Sequence, residues 1–215
     1  MREFLRNNGL SLALCALFLA SIVGQVFAGW RALGEELAMH GHPAPDLRNY
    51  LLSGHFLSAT FENWESEFLQ MGVYVLLTAW LIQKGSPESR APDESSDERC
   101  VSGPGVPWPV RKGGLWLRLY AHSLSITLFV LFALSFWLHL LGSTRRANEE
   151  ASLHAVPAIT VAQRLADPEF WYESFQNWQS EFLSIGALIV LGIFLRERGS
   201  PESKPVQAPH SQTGG

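Results

Sequence analysis

The chain has 215 residues, a formal net charge of −4 and no basic excess, so its composition offers no nucleic-acid partner. Apolar residues make up 47% of it and gather in four blocks that are apolar all round rather than striped, which excludes an ordinary soluble globule and makes lipid the solvent. Cys15, inside the first block, and Cys100, in a polar stretch, sit in different phases and set no disulfide framework or zinc spacing.

The first apolar block runs from about Leu10 to Trp30, long enough to cross about 30 Å of hydrocarbon as a helix. Arg2 and Arg6 before it and Val26-Phe27-Ala28 at its end also suit a cleaved secretory signal. The second block, about Ser66 to Gln83, is short and spans only if the turn Phe61–Glu67 enters the outer leaflet. Residues 91–114 read as a flexible cytoplasmic linker, rich in Pro, Ser, Asp and Glu over its first part. The third block covers about Leu119 to Gly142. The fourth, about Ser180 to Leu195, again needs its preceding turn; Asp167 as N-cap and Pro168 at the first helical position open a helix that carries this turn. Residues 205–215 read as a disordered tail.

The sequence matches itself at a constant shift of 114 positions without a gap. Asn63-Trp64-Glu65-Ser66-Glu67-Phe68-Leu69 answers to Asn177-Trp178-Gln179-Ser180-Glu181-Phe182-Leu183, and Gly85-Ser86-Pro87-Glu88-Ser89 to Gly199-Ser200-Pro201-Glu202-Ser203. The register reaches back to Leu10-Ser11 and Leu124-Ser125. The pattern predicts an all-α integral membrane protein with four transmembrane helices, made by tandem duplication of a two-helix unit, residues 1–90 and 115–204. The first block then corresponds to the third, deep in the chain, which favours an uncleaved first helix. Two spans per unit make the repeats parallel, related by a pseudo-twofold axis along the membrane normal. Eleven of the sixteen Lys and Arg lie on the side that holds both termini and the linker, which places that side in the cytoplasm.

The Lys84-Gly85-Ser86-Pro87 and Arg198-Gly199-Ser200-Pro201 turns need only a structural account: a basic residue at the negative helix end, a left-handed glycine and a proline stop. The segment before each short span is less easily dismissed. Thr60, Asn63, Glu67 and Gln70 share one helical face, as do Ser174, Asn177, Glu181 and Ser184. The first helix of each unit offers Ser21 with Gln25 and Ser135 with His139 at a matching depth. An outer-leaflet polar cluster is therefore expected from Gln25, Asn63, Ser66, Glu67, His139, Asn177, Ser180 and Glu181, with Gln25 paired to Glu67 and His139 to Glu181. Carboxylates at membrane depth usually face the bundle and have a partner, so the cluster serves either as a site or as interhelical glue. In the outer loops Glu36 and His40, and Glu150 and His154, stand four apart on a common face and are weak candidates for metal ligands.

Ser53-Gly54-His55-Phe56, Phe61-Glu62-Asn63-Trp64-Glu65-Ser66-Glu67-Phe68, Phe175-Gln176-Asn177-Trp178-Gln179-Ser180-Glu181-Phe182 and the twin Gly-Ser-Pro-Glu-Ser ends give the chain its resemblance to a bacterial membrane-protein family known only as a domain of unknown function. That resemblance implies an inner-membrane protein and assigns no activity or ligand. The residues read best as a non-enzymatic, transporter-like or accessory membrane component; the alternative is a membrane-embedded enzyme or metal-binding protein with a periplasm-facing Glu/His site. No motif asks for a cofactor. The lipid bilayer is the expected partner, and four helices are few for a complete pathway, which leaves room for a homo-oligomer.

Overall fold

In a computed structural model the described residues are 2–90 and 105–214. Cys100 and the part of the expected linker from 91 to 104 lie outside them. All regular structure among them is helical: α1 (Arg2–Met39), α2 (Leu47–Leu51), α3 (Gly54–Trp80), α4 (Trp108–Lys112), α5 (Gly114–Ala121), α6 (Ser123–Leu153), α7 (Val161–Leu165) and α8 (Pro168–Phe194). Three of these, α1, α6 and α8, are long and apolar enough to cross a membrane, which points to a membrane protein. Their apolar side chains support this: Leu10, Leu17, Val130, Leu183 and Phe194 are all exposed. α3 matches α8 in length, 27 residues each, but is not among the three. It carries Gln70, Tyr74, Thr78 and Trp80 where α8 has Ser184, Leu188, Gly192 and Phe194, so its later turns are less apolar.

Local chemistry explains where the helices start and stop. α1 ends in a Schellman turn: the His42 N–H donates to the Leu37 carbonyl at 2.9 Å and the Gly41 N–H to Ala38 at 3.0 Å, with Gly41 at φ 77°. α6 ends the same way around Ala151, but the left-handed position is taken by Ala155 at φ 53°. Asp46 caps α2 by accepting from the Asn49 N–H, and Thr160 caps α7 in a capping box with Gln163. Asp167 accepts from the Glu169 N–H at the start of α8, as the Asp-Pro pair predicts, although the helix stops at Phe194. Met39 and Leu153, Leu47 and Val161, Leu51 and Leu165, Gly54 and Pro168, and Trp80 and Phe194 bound equivalent helices and are each 114 positions apart.

The chain forms two compact units, and they do not follow the sequence halves. One gathers the chain up to Phe61 with Trp137–Phe170; the other gathers Glu62–Phe136 with the chain from Trp171 onward. Each unit thus takes segments from both halves. In the first, α3 and α6 pack backbone to backbone, because Gly54 lies against Arg145 and Arg146 and Gly142 against Leu57 and Ser58. Tyr50, Leu140 and Phe170 are its buried apolar core, with Tyr50 and Phe56 ring centroids 5.5 Å apart. Arg164 is buried beside it and donates from Nε to Ser143 at 2.9 Å and from one terminal nitrogen to Asp167 and Glu169.

In the second unit, the two Gly-Ser-Pro-Glu-Ser turns make the same bonds. Ser89 accepts from the Gln83 N–H and Ser203 from the Glu197 N–H; Ser86 accepts from Glu88 and Ser200 from Glu202. Part of the expected linker is helical: Trp108–Lys112 forms α4, and α5 begins at Gly114. The tail, expected to be disordered, folds back over the first turn. Buried Lys204 donates from Nζ to the carbonyls of Gly85 at 2.6 Å, His210 at 2.9 Å and Gln212 at 3.1 Å, and the Gly85 N–H donates to Thr213. A buried ammonium needs acceptors, and the tail backbone supplies them. Burial and the charge of Arg196 lower the Lys204 pKa.

Candidate functional site

The first unit holds a cavity of about 390 Å³ where helix ends meet the loops that follow α1 and α2. α1 contributes Leu33, Glu36 and Leu37; the loop and α2 contribute Pro45, Asn49, Leu52 and Ser53; α3 contributes His55; α6 contributes Arg145, Arg146, Glu149 and Glu150. Glu149 is fixed at both oxygens. It accepts from Arg145 Nε at 2.8 Å and from the Gly54 N–H at 3.0 Å, so one carboxylate satisfies the start of α3 and an arginine together. The side chains of Arg146, Glu36 and Glu150 make no hydrogen bond or ion pair among the described residues. His55 carries a buried Nδ1 with no hydrogen-bond partner. Its pKa is lowered, chiefly by burial and next by Arg146, against the opposing pull of Glu36 and Glu149. The cavity therefore offers one uncommitted cation, two uncommitted carboxylates and a neutral imidazole above walls of leucine and proline.

The four loop residues considered as metal ligands come together only in part. Glu36 and Glu150 line the cavity. His40 and His154 meet edge to face, ring centroids 5.5 Å apart, and His40 Nδ1 is turned to the Glu36 carbonyl at 2.9 Å. Among the described residues no group of three or more His, Cys, Asp or Glu is placed to hold a metal.

The polar-cluster residues are paired differently from expectation. Gln25 donates to Thr60 Oγ1 at 3.2 Å rather than to Glu67. His139 is fully buried and stacks on Phe170, ring centroids 4.9 Å apart. Asn63 and Glu67 are exposed. Ser66 and Ser180 turn their hydroxyls back to the Asn63 and Asn177 carbonyls, at 2.8 Å each. The bonds between α3 and α8 use Glu62 and Glu65 together with Gln70 of the expected face. Asn177 donates to Glu62, Trp178 Nε1 donates to Glu65 Oε1 at 3.3 Å, and Gln70 donates to the Glu181 carbonyl at 2.7 Å and to Ser184 at 3.2 Å. Glu65 is fully buried. The sequence reading missed Glu62 and Glu65 as partners. A signal existed: Gln176 and Gln179 stand at the positions 114 further on, and an acid exchanged for its amide keeps the acceptor and its shape.

With the geometry in place, comparison with known proteins adds a family. The family described as "Domain of unknown function (DUF6766)" matches residues 1–215, the whole chain. The chain belongs to that family. No curated protein and no solved structure matches it.

Proposed function

We propose that the chain is a four-span bacterial inner-membrane protein, built by duplication of a two-helix unit, with both termini in the cytoplasm. It acts as a non-enzymatic, transporter-like or accessory component that binds a small zwitterionic solute in the outer cavity. The observation that carries the binding reading is the cavity of about 390 Å³ with charges of both signs left unpaired above an apolar floor. A solute with an ammonium and a carboxylate satisfies Glu36, Glu150 and Arg146 at once, and its apolar body meets Leu33, Leu37 and Leu52. The duplication is supported by helix bounds 114 positions apart and by twin turns with the same hydrogen bonds. The fourth span is α3, whose buried acid and amide side chains are covered by partners on α8. The polar cluster serves as glue between helices rather than as the working site.

Two experiments test the reading. In a background with Cys15 and Cys100 changed to Ser, Ala158→Cys should label from outside intact cells and Ser211→Cys should not; the reverse pattern refutes the topology. The full chain in nanodiscs, titrated with leucine, glycine betaine and the dipeptide alanyl-leucine, should bind at least one of them. Arg146→Gln or Glu150→Gln, both exposed and unpaired, should weaken that binding about tenfold, the effect of losing one charge-assisted contact. No binding, or binding by both variants as tight as the parent's, removes the proposal.

A further inference from the structure

The segment between residue 105 and α6 has no role in the outer cavity, yet it carries the most concentrated aromatic and basic chemistry among the described residues. α4 and α5 are joined through Gly113 and Gly114, both at positive φ. Across that joint Lys112 Nζ lies 5.3 Å from the ring centroid of Trp108 and 4.8 Å from that of Trp116, and the two indoles meet edge to face at 5.1 Å. Trp108, Leu115, Trp116, Leu119 and Tyr120 are nonetheless exposed, Leu115 at 68%. Such a contiguous apolar surface on a short helical pair is not left to water without a partner.

Position and charge choose the partner. Only His122 separates the end of α5 from the start of α6, which is long and apolar enough to cross a membrane. Wherever α6 enters the bilayer, α5 is at headgroup level. Arg111, Lys112 and Arg118 are basic, and the sequence from Gly105 to Asn148 contains no Asp or Glu. Tryptophan and tyrosine favour the interface, and clustered basic residues beside a span attract anionic lipid. A protein partner would require the same surface to be offered to water, away from the lipid that α6 enters.

We propose that α4–α5 is a membrane-surface element that binds anionic phospholipid headgroups in the leaflet where α6 begins. The Trp108–Lys112–Trp116 stack anchors it at headgroup depth, and Arg111 and Arg118 take the phosphates. The inference rests on α6 entering a membrane and is independent of the outer cavity.

The test uses the full chain in nanodiscs of phosphatidylcholine with and without phosphatidylglycerol. A nitroxide on Leu115→Cys, with Cys15 and Cys100 changed to Ser, should collide with oxygen and be shielded from a water-soluble nickel chelate, while a label on Ser211→Cys should meet the chelate freely. Native mass spectrometry should then count retained phosphatidylglycerol. The triple change Arg111→Gln, Lys112→Gln, Arg118→Gln should lower that count at least threefold, and Arg111→Lys with Arg118→Lys should preserve it. A chelate-accessible label at position 115, or a lipid count that the triple change leaves unaltered, overturns the proposal.

Discussion

Gly142→Ala is the most direct probe of how α3 and α6 pack in the first unit. A Cβ at Gly142 would lie 2.6 Å from the Ser58 amide nitrogen and 2.9 Å from the Leu57 carbonyl carbon. Both obstacles are backbone, so no rotamer change relieves them. Ordinary contact requires the helices to part by roughly 1 Å, in a region where Ser58 and Leu140 are almost fully buried. Overpacking of this kind costs about 1–3 kcal/mol. Replacing a helical glycine by alanine returns about 0.5–1 kcal/mol, so the net loss should be about 1–2 kcal/mol. Gly186→Ala is the control, since nothing lies within 4 Å of its added Cβ and only the backbone term should appear. Equilibrium unfolding in mild detergent, read for both variants beside the parent, measures the difference. Equal stability of Gly142→Ala and the parent, or equal destabilisation of the two variants, would show that the helices do not approach closely at this position.

Ala155→Gly should stabilise the protein by about 1 kcal/mol in the same assay, because the left-handed end of α6 at φ 53° penalises a side chain that Gly41 lacks at the end of α1. Glu65→Ala should cost about 1–3 kcal/mol by taking the acceptor from the Trp178 indole, whereas Glu65→Gln should be close to neutral; equal losses would deny the hydrogen bond its role. The folded-state pKa of His55 is lowered, so the unfolded chain holds more protons between the lowered value and the ordinary histidine value. Stability should therefore fall as pH drops through that window, and His55→Gln should flatten this part of the pH–stability curve.

The sequence carried those features whose physics is local. Asp167-Pro168 announced the start of α8, and the all-round apolar runs announced α1, α6 and α8. It did not reveal which face of α3 is covered. Asn63 with Glu67, and Glu62 with Glu65, are both plausible polar pairs on one helix, and the choice depends on where Trp178 and Asn177 fall, more than a hundred positions away. Lys204 was hidden for a different reason. Its acceptors are backbone carbonyls of Gly85, His210 and Gln212, and a carbonyl has no signature in the amino-acid code. Glu67, flagged by type and helical face, is exposed, while the buried acid, Glu65, lies two residues away.

Positions 114 apart differ in how they hold the loops near the cavity of the first unit. The loop carbonyls of Pro45 and Ile159, 114 positions apart, are both anchored to the preceding long helix, but from different turns. Trp30 Nε1 reaches the Pro45 carbonyl at 2.7 Å, whereas Asn148 Nδ2 reaches that of Ile159 at 3.0 Å and its Oδ1 accepts the Ile159 N–H at 2.7 Å. The position matching Asn148 is Gly34, where an added Cβ would lie 3.2 Å from the Ala44 Cβ. Tyr50 and Arg164 show the same divergence: Tyr50 packs on Gly29, and Arg164 bonds to Ser143, the residue that matches Gly29. Each exchange keeps the helix ends in place and alters what fills the gap between them. Asn148 and Arg164 spend their hydrogen bonds internally, although Asn148 still borders a space of about 480 Å³ with Leu141, Thr144 and Val161. Where Gly34 and Gly29 stand, Ala44 and Tyr50 take the room of the missing side chains, and Leu33, Leu37 and Pro45 form the apolar wall of the cavity beside Glu36, Arg146 and Glu150.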